Sequence, residues 1–212
     1  MTRQALNSLP WLCVPLPRTR RAEHTMGMPE LLHAWTPEEV RALPDDGRRY
    51  EVVGGELLVT PAPSYSHQDA SFRLARLLHE YAERTGVGYT LLSPADIEPE
   101  AGALVQPDVF VGPPIEGRRP RSWADFSRLL LAVEVVSPSS ARADRTVKRQ
   151  LFQRTGVPEY WIVDLDARLV ERWRPDDVRP EVLSDRLAWQ PDPAVPALEI
   201  DLGAFFEQVL AP

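Results

Sequence analysis

The sequence predicts an α/β fold in which helices flank a mixed central β-sheet and a β-hairpin comes early in the chain. Three observations predict it. Leu129 to Val136 is apolar at seven of its eight positions, the pattern of a central strand covered on both faces. Between Ser66 and Arg84 the apolar residues Ala70, Leu74, Leu77, Leu78 and Tyr81 recur at three- and four-residue intervals, which defines one face of a long helix. The β-rich runs Tyr50 to Val53 and Glu56 to Thr60 flank Gly54-Gly55, a two-residue turn that favours a hairpin. With 212 residues, 43% hydrophobic and 26% charged, the chain can bury a core instead of remaining disordered.

In chain order, residues 1–27 carry Pro10, Pro15 and Pro17 within a short apolar run closed by Arg18, Arg20 and Arg21. They are expected to form a poorly ordered tail before a single domain over residues 28–212, with Met26 and Met28 as alternative starts. The run is too short and too broken for a secretory signal. Thr36-Pro37-Glu38-Glu39 has the form of a capping box with proline at the first helical position, predicting a short helix to about Leu43. The long helix follows the hairpin and stops at Gly86, a C-cap glycine. Strands are expected at about 89–92, 108–111 and 129–136. Asp144 to Thr155 reads as a helix ended by Gly156, and Tyr160 to Asp164 with Leu169 to Trp173 as a hairpin turning at Asp166-Ala167. Short edge strands fill 175–200, and Gly203 to Leu210 closes the chain as a helix.

Composition removes several function classes. No run approaches the roughly 18 to 20 apolar residues of a membrane-spanning helix. Cys13 is the only cysteine, so an internal disulfide and a four-thiolate zinc site are both excluded, and a reducing cytoplasm is the expected compartment. A net charge of -7 argues against a protein that coats DNA, while leaving local recognition open. A P-loop, a glycine-rich dinucleotide fingerprint and a nucleophile elbow are all missing.

Chemistry concentrates at three residues. Glu134 is the one charged side chain in the buried strand, and a carboxylate in low dielectric must be protonated, paired or bound to a cation. The plainer reading is a strand-end glutamate in solvent or paired with arginine. Asp108 opens a second apolar strand directly after Pro107, and two carboxylates at one level of neighbouring strands supply the oxygen ligands that Mg²⁺ prefers. Lys148 is the only lysine among 24 basic residues. It falls four residues after Asp144 on the helix that follows the Glu134 strand, so that a short loop folds this face back toward the strand's end. Its solitude is either chance or a site where a compact ammonium serves and guanidinium does not.

Six segments in order resemble one family. These are Tyr50-Glu51 to Gly55-Glu56, Ser66-His67-Gln68, Gln106-Pro107-Asp108, Val133-Glu134-Val135 with Ser137-Pro138-Ser139, Asp144 to Lys148, and Gly156-Val157-Pro158-Glu159-Tyr160-Trp161. Together, over about residues 35–175, they resemble the Uma-type family of restriction-endonuclease-like proteins, a branch of the PD-(D/E)xK nuclease superfamily. The resemblance implies a restriction-endonuclease-like fold with Asp108 and Glu134 as metal ligands, helped by the Val135 carbonyl. The superfamily lysine would sit two residues after the acid, where this chain has Val136. In branches where that lysine has moved to the next helix, Lys148 is the matching residue. Glu51 matches a glutamate of the early strand and would add a carboxylate; otherwise it is a surface residue of a hairpin. The implied activity is Mg²⁺-dependent hydrolysis of DNA phosphodiester bonds, with Mn²⁺ as a substitute, RNA still open, and a homodimer as the assembly.

Two other classes remain at this stage: a nuclease fold that binds without cutting, and a metal-dependent hydrolase of other phosphoesters. His67 and Gln68 open the long helix, where they either contact phosphate or, as the favoured reading, cap the turn; Asp144 reads equally as a helix cap or a partner of Lys148, and Tyr160 and Trp161 as packing. Arg118, Arg119 and Arg121 form a basic run whose default is a solvated loop. Residues 105–160 carry +3 against -10 elsewhere, which fits a substrate cleft on an otherwise acidic protein.

Overall fold

The computed structural model describes residues 33–115, 119–126 and 128–211. His33–Pro212 form one compact unit. The expected tail over 1–27, with Cys13, and the basic residue Arg118 lie outside the described residues.

Local signals set the first elements. Helix α1 (Pro37–Arg41) begins at Thr36, whose side chain accepts from the Glu39 N–H while the Glu39 carboxylate takes the Thr36 N–H, completing the capping box. It ends two residues before Leu43. Strands β1 (Arg49–Val53) and β2 (Glu56–Thr60) pair antiparallel through Gly54 and Gly55, whose φ angles of 59° and 81° are those a two-residue hairpin turn requires. Helix α2 (Tyr65–Thr85) is capped by Ser64 and closed by Gly86 at φ 73°, and buries Ala70, Leu74, Leu78 and Tyr81 along one face.

A six-stranded sheet runs in the order β3 (Tyr89–Leu92), β4 (Val109–Gly112), β5 (Leu131–Val135), β6 (Glu159–Asp164), β7 (Leu169–Trp173), β8 (Glu181–Leu183). Only β5 and β6 are parallel. The mixed sheet is therefore as expected, with β5 central and buried at every position. Leu129 and Leu130 precede the strand instead of opening it. The β5–β6 crossover is helical: α3 (Ala141–Ala143), a π-turn (Asp144–Lys148) and α4 (Arg149–Arg154). The helix thus begins three residues before Asp144. A second small sheet pairs β9 (Arg186–Trp189) with β10 (Leu198–Asp201), and α5 (Leu202–Val209) follows with Asp201 as its N-cap.

Alternation along the strands sends side chains into two cores. Val109, Val111, Val133, Val135, Trp161 and Val163 pack with the apolar faces of α2 and α5. Phe110, Ala132, Tyr160 and Ile162 pack with Leu151 and Phe152 of α4, and with Val53 and Leu58 of the hairpin. Gly112 permits this second core to close, because a Cβ there would stand 2.3 Å from the Phe126 ring. Among the described residues, no helix is long and apolar enough to cross a membrane.

Candidate active site

Period-two alternation fixes where Glu134 goes. It shares its side of β5 with Ala132, so the carboxylate points away from α2 toward the crossover helix and the hairpin. Val109 of β4 pairs with Val133 of β5, so Asp108, one residue earlier, lies level with Glu134. Strand β1 reaches the same place because Val52 exchanges backbone hydrogen bonds with Leu104, each 2.8 Å. Glu51 then accepts the Gln106 N–H at 2.7 Å. From the crossover, the π-turn presents Asp144 and Lys148 on one buried side, and the Arg149 N–H reaches the Asp144 carbonyl across the wide turn.

Four carboxylates from four segments therefore meet in the interior: Glu51, Asp108, Glu134 and Asp144 are each at most 4% exposed. Lys148, 3% exposed, sits among three of them. Its Nζ is 2.9 Å from Glu134 Oε1, 2.8 Å from Glu51 Oε2 and 3.5 Å from Asp144 Oδ1. The bond to Glu134 is well directed. Glu51 Oε2 and Asp144 Oδ1 are close as charges but have no directed hydrogen bond. Asp108 is held from other directions, its Oδ1 2.8 Å from Arg49 Nη1 and its Oδ2 3.2 Å from His67 Nε2, while the Val135 N–H donates to Oδ2 at 2.9 Å.

These surroundings push the carboxylates apart in acidity. Burial alone would raise Asp108, but the His67 hydrogen bond, the Arg49 charge and the Val135 N–H outweigh it and hold the group below the usual carboxylate range. Burial raises Glu134 well above that range despite Lys148, and the charges of Asp108, Asp144 and Glu51 add to the rise. Asp144 is raised for the same first cause, burial. For Lys148, burial works against the charged form, yet Glu134, Glu51 and Asp144 together keep the ammonium protonated far above its ordinary value. One firmly ionised acid beside one that resists ionisation is the division of labour that acid–base sites use.

A cleft of about 350 Å³ opens beside this cluster, lined by Arg49, Ser64, Ser66 and His67 on one side and Ser137 and Ser139 on the other. A second, of about 530 Å³, has Arg49, Gln68, Ser93 and Gln106 in its wall. The Arg49 guanidinium thus separates two openings. A cavity of about 490 Å³ between His79, Tyr89, Arg119 and Trp123 contains none of the four carboxylates.

The family model Uma2, described as "Putative restriction endonuclease", matches residues 37–203. The chain belongs to the Uma2 family. A crystal structure from Anabaena variabilis, titled a "putative nuclease belonging to DUF820", is similar with a TM-score of 0.65 at 19% sequence identity, covering 83% of this chain and 99% of that one. At that identity the likeness is one of fold, and it agrees with the mixed sheet and flanking helices described above. No curated protein matches the chain.

In this Uma2 chain the four acids and the lysine named from the sequence stand together, although 97 positions separate Glu51 from Lys148. Asp144 pairs with Lys148 and does not cap the start of the helix, which begins at Ala141. His67 departs from its expected capping role: Ser64 caps the helix, and the imidazole turns to Asp108. Tyr160 and Trp161 pack as expected into opposite cores, with the Tyr160 hydroxyl donating to the Asp144 carbonyl at 3.2 Å. Arg119 and Arg121 are both exposed, as a solvated loop requires, with Arg119 over the Tyr89 ring and the Arg121 backbone N–H donating to Asp125. Arg49 was not singled out by the sequence. Its signal was available, since alternation puts it on the same side of β1 as Glu51.

The donors suit a hard divalent cation in kind and in charge. All four acids offer oxygen and only two cations, Lys148 and Arg49, face them, so Glu134 and Asp144, both raised by burial, are acids that a bound cation would help to ionise. Glu51 Oε2 and Asp144 Oδ1 have no directed hydrogen bond. As the side chains stand, however, no three His, Cys, Asp or Glu groups among the described residues converge to hold a metal ion. Lys148 and Arg49 occupy the carboxylates instead.

Proposed function

We propose that the protein is a Mg²⁺-dependent endonuclease that hydrolyses phosphodiester bonds of DNA, with Mn²⁺ able to replace Mg²⁺. The observation that carries this reading is the buried set of four carboxylates closed around the chain's single lysine. Family membership supplies the substrate class. Asp108 and Glu134 would hold the metal, with the Val135 carbonyl alongside and Glu51 as a further acid. Bound there, the ion would polarise the phosphate and make a water nucleophilic at neutral pH.

The residues of the chain do the rest. Asp108, kept ionised by Arg49, His67 and the Val135 N–H, supplies a permanent negative charge. Glu51 fixes the backbone before Asp108 through the Gln106 N–H. Lys148 remains protonated, so it acts as a donor that orients the attacking water and stabilises charge gathering on the phosphoryl oxygens, not as a free base. The serine-lined cleft beside Arg49 and His67 receives the backbone. A homodimer, with two sites related by a two-fold axis, would cut both strands.

Supercoiled plasmid incubated with Mg²⁺ or Mn²⁺ tests this. Nicking should occur with wild type, stop with chelator, and fall at least about 100-fold in Asp108→Asn, Glu134→Gln and Lys148→Ala. Equal activity in all four proteins would reject the site. Metal-dependent release of phosphate from small phosphoesters with intact plasmid would favour a different phosphoesterase.

A further inference from the structure

The carboxylate best suited to a metal is the one already satisfied. Asp108 is ionised and 4% exposed, but Arg49 holds one of its oxygens and His67 with the Val135 N–H hold the other. A divalent cation on Asp108 and a guanidinium 2.8 Å from the same carboxylate repel one another at close range in a poorly screened interior. The two therefore compete for one acid.

Arg49 is also the cluster member with somewhere to go. Lys148 is enclosed, whereas the Arg49 side chain is 18% exposed and stands in the wall between the two clefts. Apart from Asp108 its hydrogen bond is to a backbone carbonyl, Gln106 O at 3.0 Å, which does not need a charged donor. The smaller cleft beside it has Ser64, Ser66, Ser137 and Ser139 among its lining residues, and Asp166 is the one acid among its described lining residues. A planar guanidinium entering that space meets an environment suited to a phosphate oxygen pair.

From this geometry we infer that Arg49 is a placeholder cation on Asp108 which a divalent metal displaces, and that the released guanidinium becomes a ligand for the substrate's phosphate. The inference rests on the nuclease reading and deepens it. Metal and DNA binding are then coupled through one side chain: the ion frees the arginine, the arginine grips the backbone, and DNA in turn favours the ion. In the metal-free protein the same arginine keeps Asp108 from standing as an uncompensated buried charge.

The test uses the full chain as wild type, Arg49→Gln, Arg49→Lys and Asp108→Asn, each checked for cooperative thermal unfolding. Mn²⁺ affinity is measured by calorimetry, and affinity for a short fluorescein-labelled DNA duplex by anisotropy with and without Mn²⁺, duplex length being verified after each reading. Removing the competitor should make Mn²⁺ bind about tenfold tighter in Arg49→Gln while abolishing most of the gain in duplex affinity that Mn²⁺ gives wild type. Arg49→Lys keeps a cation and should stay near wild type in both. An arginine that merely positions Asp108 predicts the opposite for the metal, weaker Mn²⁺ binding in Arg49→Gln, and that result, or no change in either affinity, overturns the inference while the nuclease reading stands. Mn²⁺ binding to Arg49→Gln but not detectably to wild type would support the placeholder in its strongest form. If neither protein binds Mn²⁺, both the inference and the metal-dependent reading fall.

Discussion

Lys148 shows how much a single charge can do in this interior. It is the ammonium shared by Glu51, Glu134 and Asp144, all buried. Lys148→Met should lower stability by about 3–5 kcal/mol at neutral pH in urea unfolding, because it leaves three acids without their cation. Asp164 gives a prediction of pH dependence away from the site. Its burial is outweighed by the Ala167 N–H and by Arg145, so its folded pKa lies below the ordinary carboxylate value. A lowered value contributes stability above the unfolded pKa of about 4 that is lost as pH falls through the folded one. Asp164→Asn should therefore cost about 1 kcal/mol at pH 7 and progressively less below about pH 4, as read from urea midpoints. At this scale, Asp108, Glu134 and Lys148 were legible because each is out of place: a charge in an apolar strand, an acid after proline at a strand's start, a lone lysine. Arg49 was not, since one arginine among many carries no such signal and only the strand's alternation marks it.

Elements were legible wherever a local interaction writes itself into residue type. The capping box at Thr36, the Gly54-Gly55 turn and the Gly86 stop all stand where the sequence puts them. The crossover helix was harder. Ser140 precedes it without a side-chain cap, and a π-turn has no compositional signature, so the sequence points to Asp144 as its first residue when Ala141 is. That wide turn decides which side of the helix faces Glu134, and it depends on tertiary packing. Ser64 at the start of α2 offers an element-scale test. Ser64→Ala removes the hydroxyl that accepts the His67 N–H and should lower stability by about 1 kcal/mol, measured by thermal or urea unfolding. The same change should reduce plasmid nicking only a few-fold, because His67 is still carried by twenty-one residues of helix.

For the whole molecule, the site is an assembly of pieces that only the fold brings together. The hairpin, the segment before β4, the central strand and the crossover helix each bring one carboxylate, so the mixed sheet is what makes the cluster. The family pattern made this legible in advance, whereas the pairing of Arg49 with Asp108 needed coordinates. A ligand that binds the folded state alone stabilises it by mass action. Mn²⁺ at about 100 times its dissociation constant should add roughly 2.7 kcal/mol, raising the melting temperature by about 5–10 °C for a chain of this size. Chelator should reverse the rise and Asp108→Asn should abolish it.

The most direct measurement is anomalous diffraction from crystals grown or soaked with Mn²⁺. The account predicts a peak within ligand distance of the Asp108 and Glu134 carboxylates, with the Arg49 guanidinium moved off Asp108. A well-ordered map with Mn²⁺ absent from those carboxylates, and Arg49 still paired with Asp108, would contradict it.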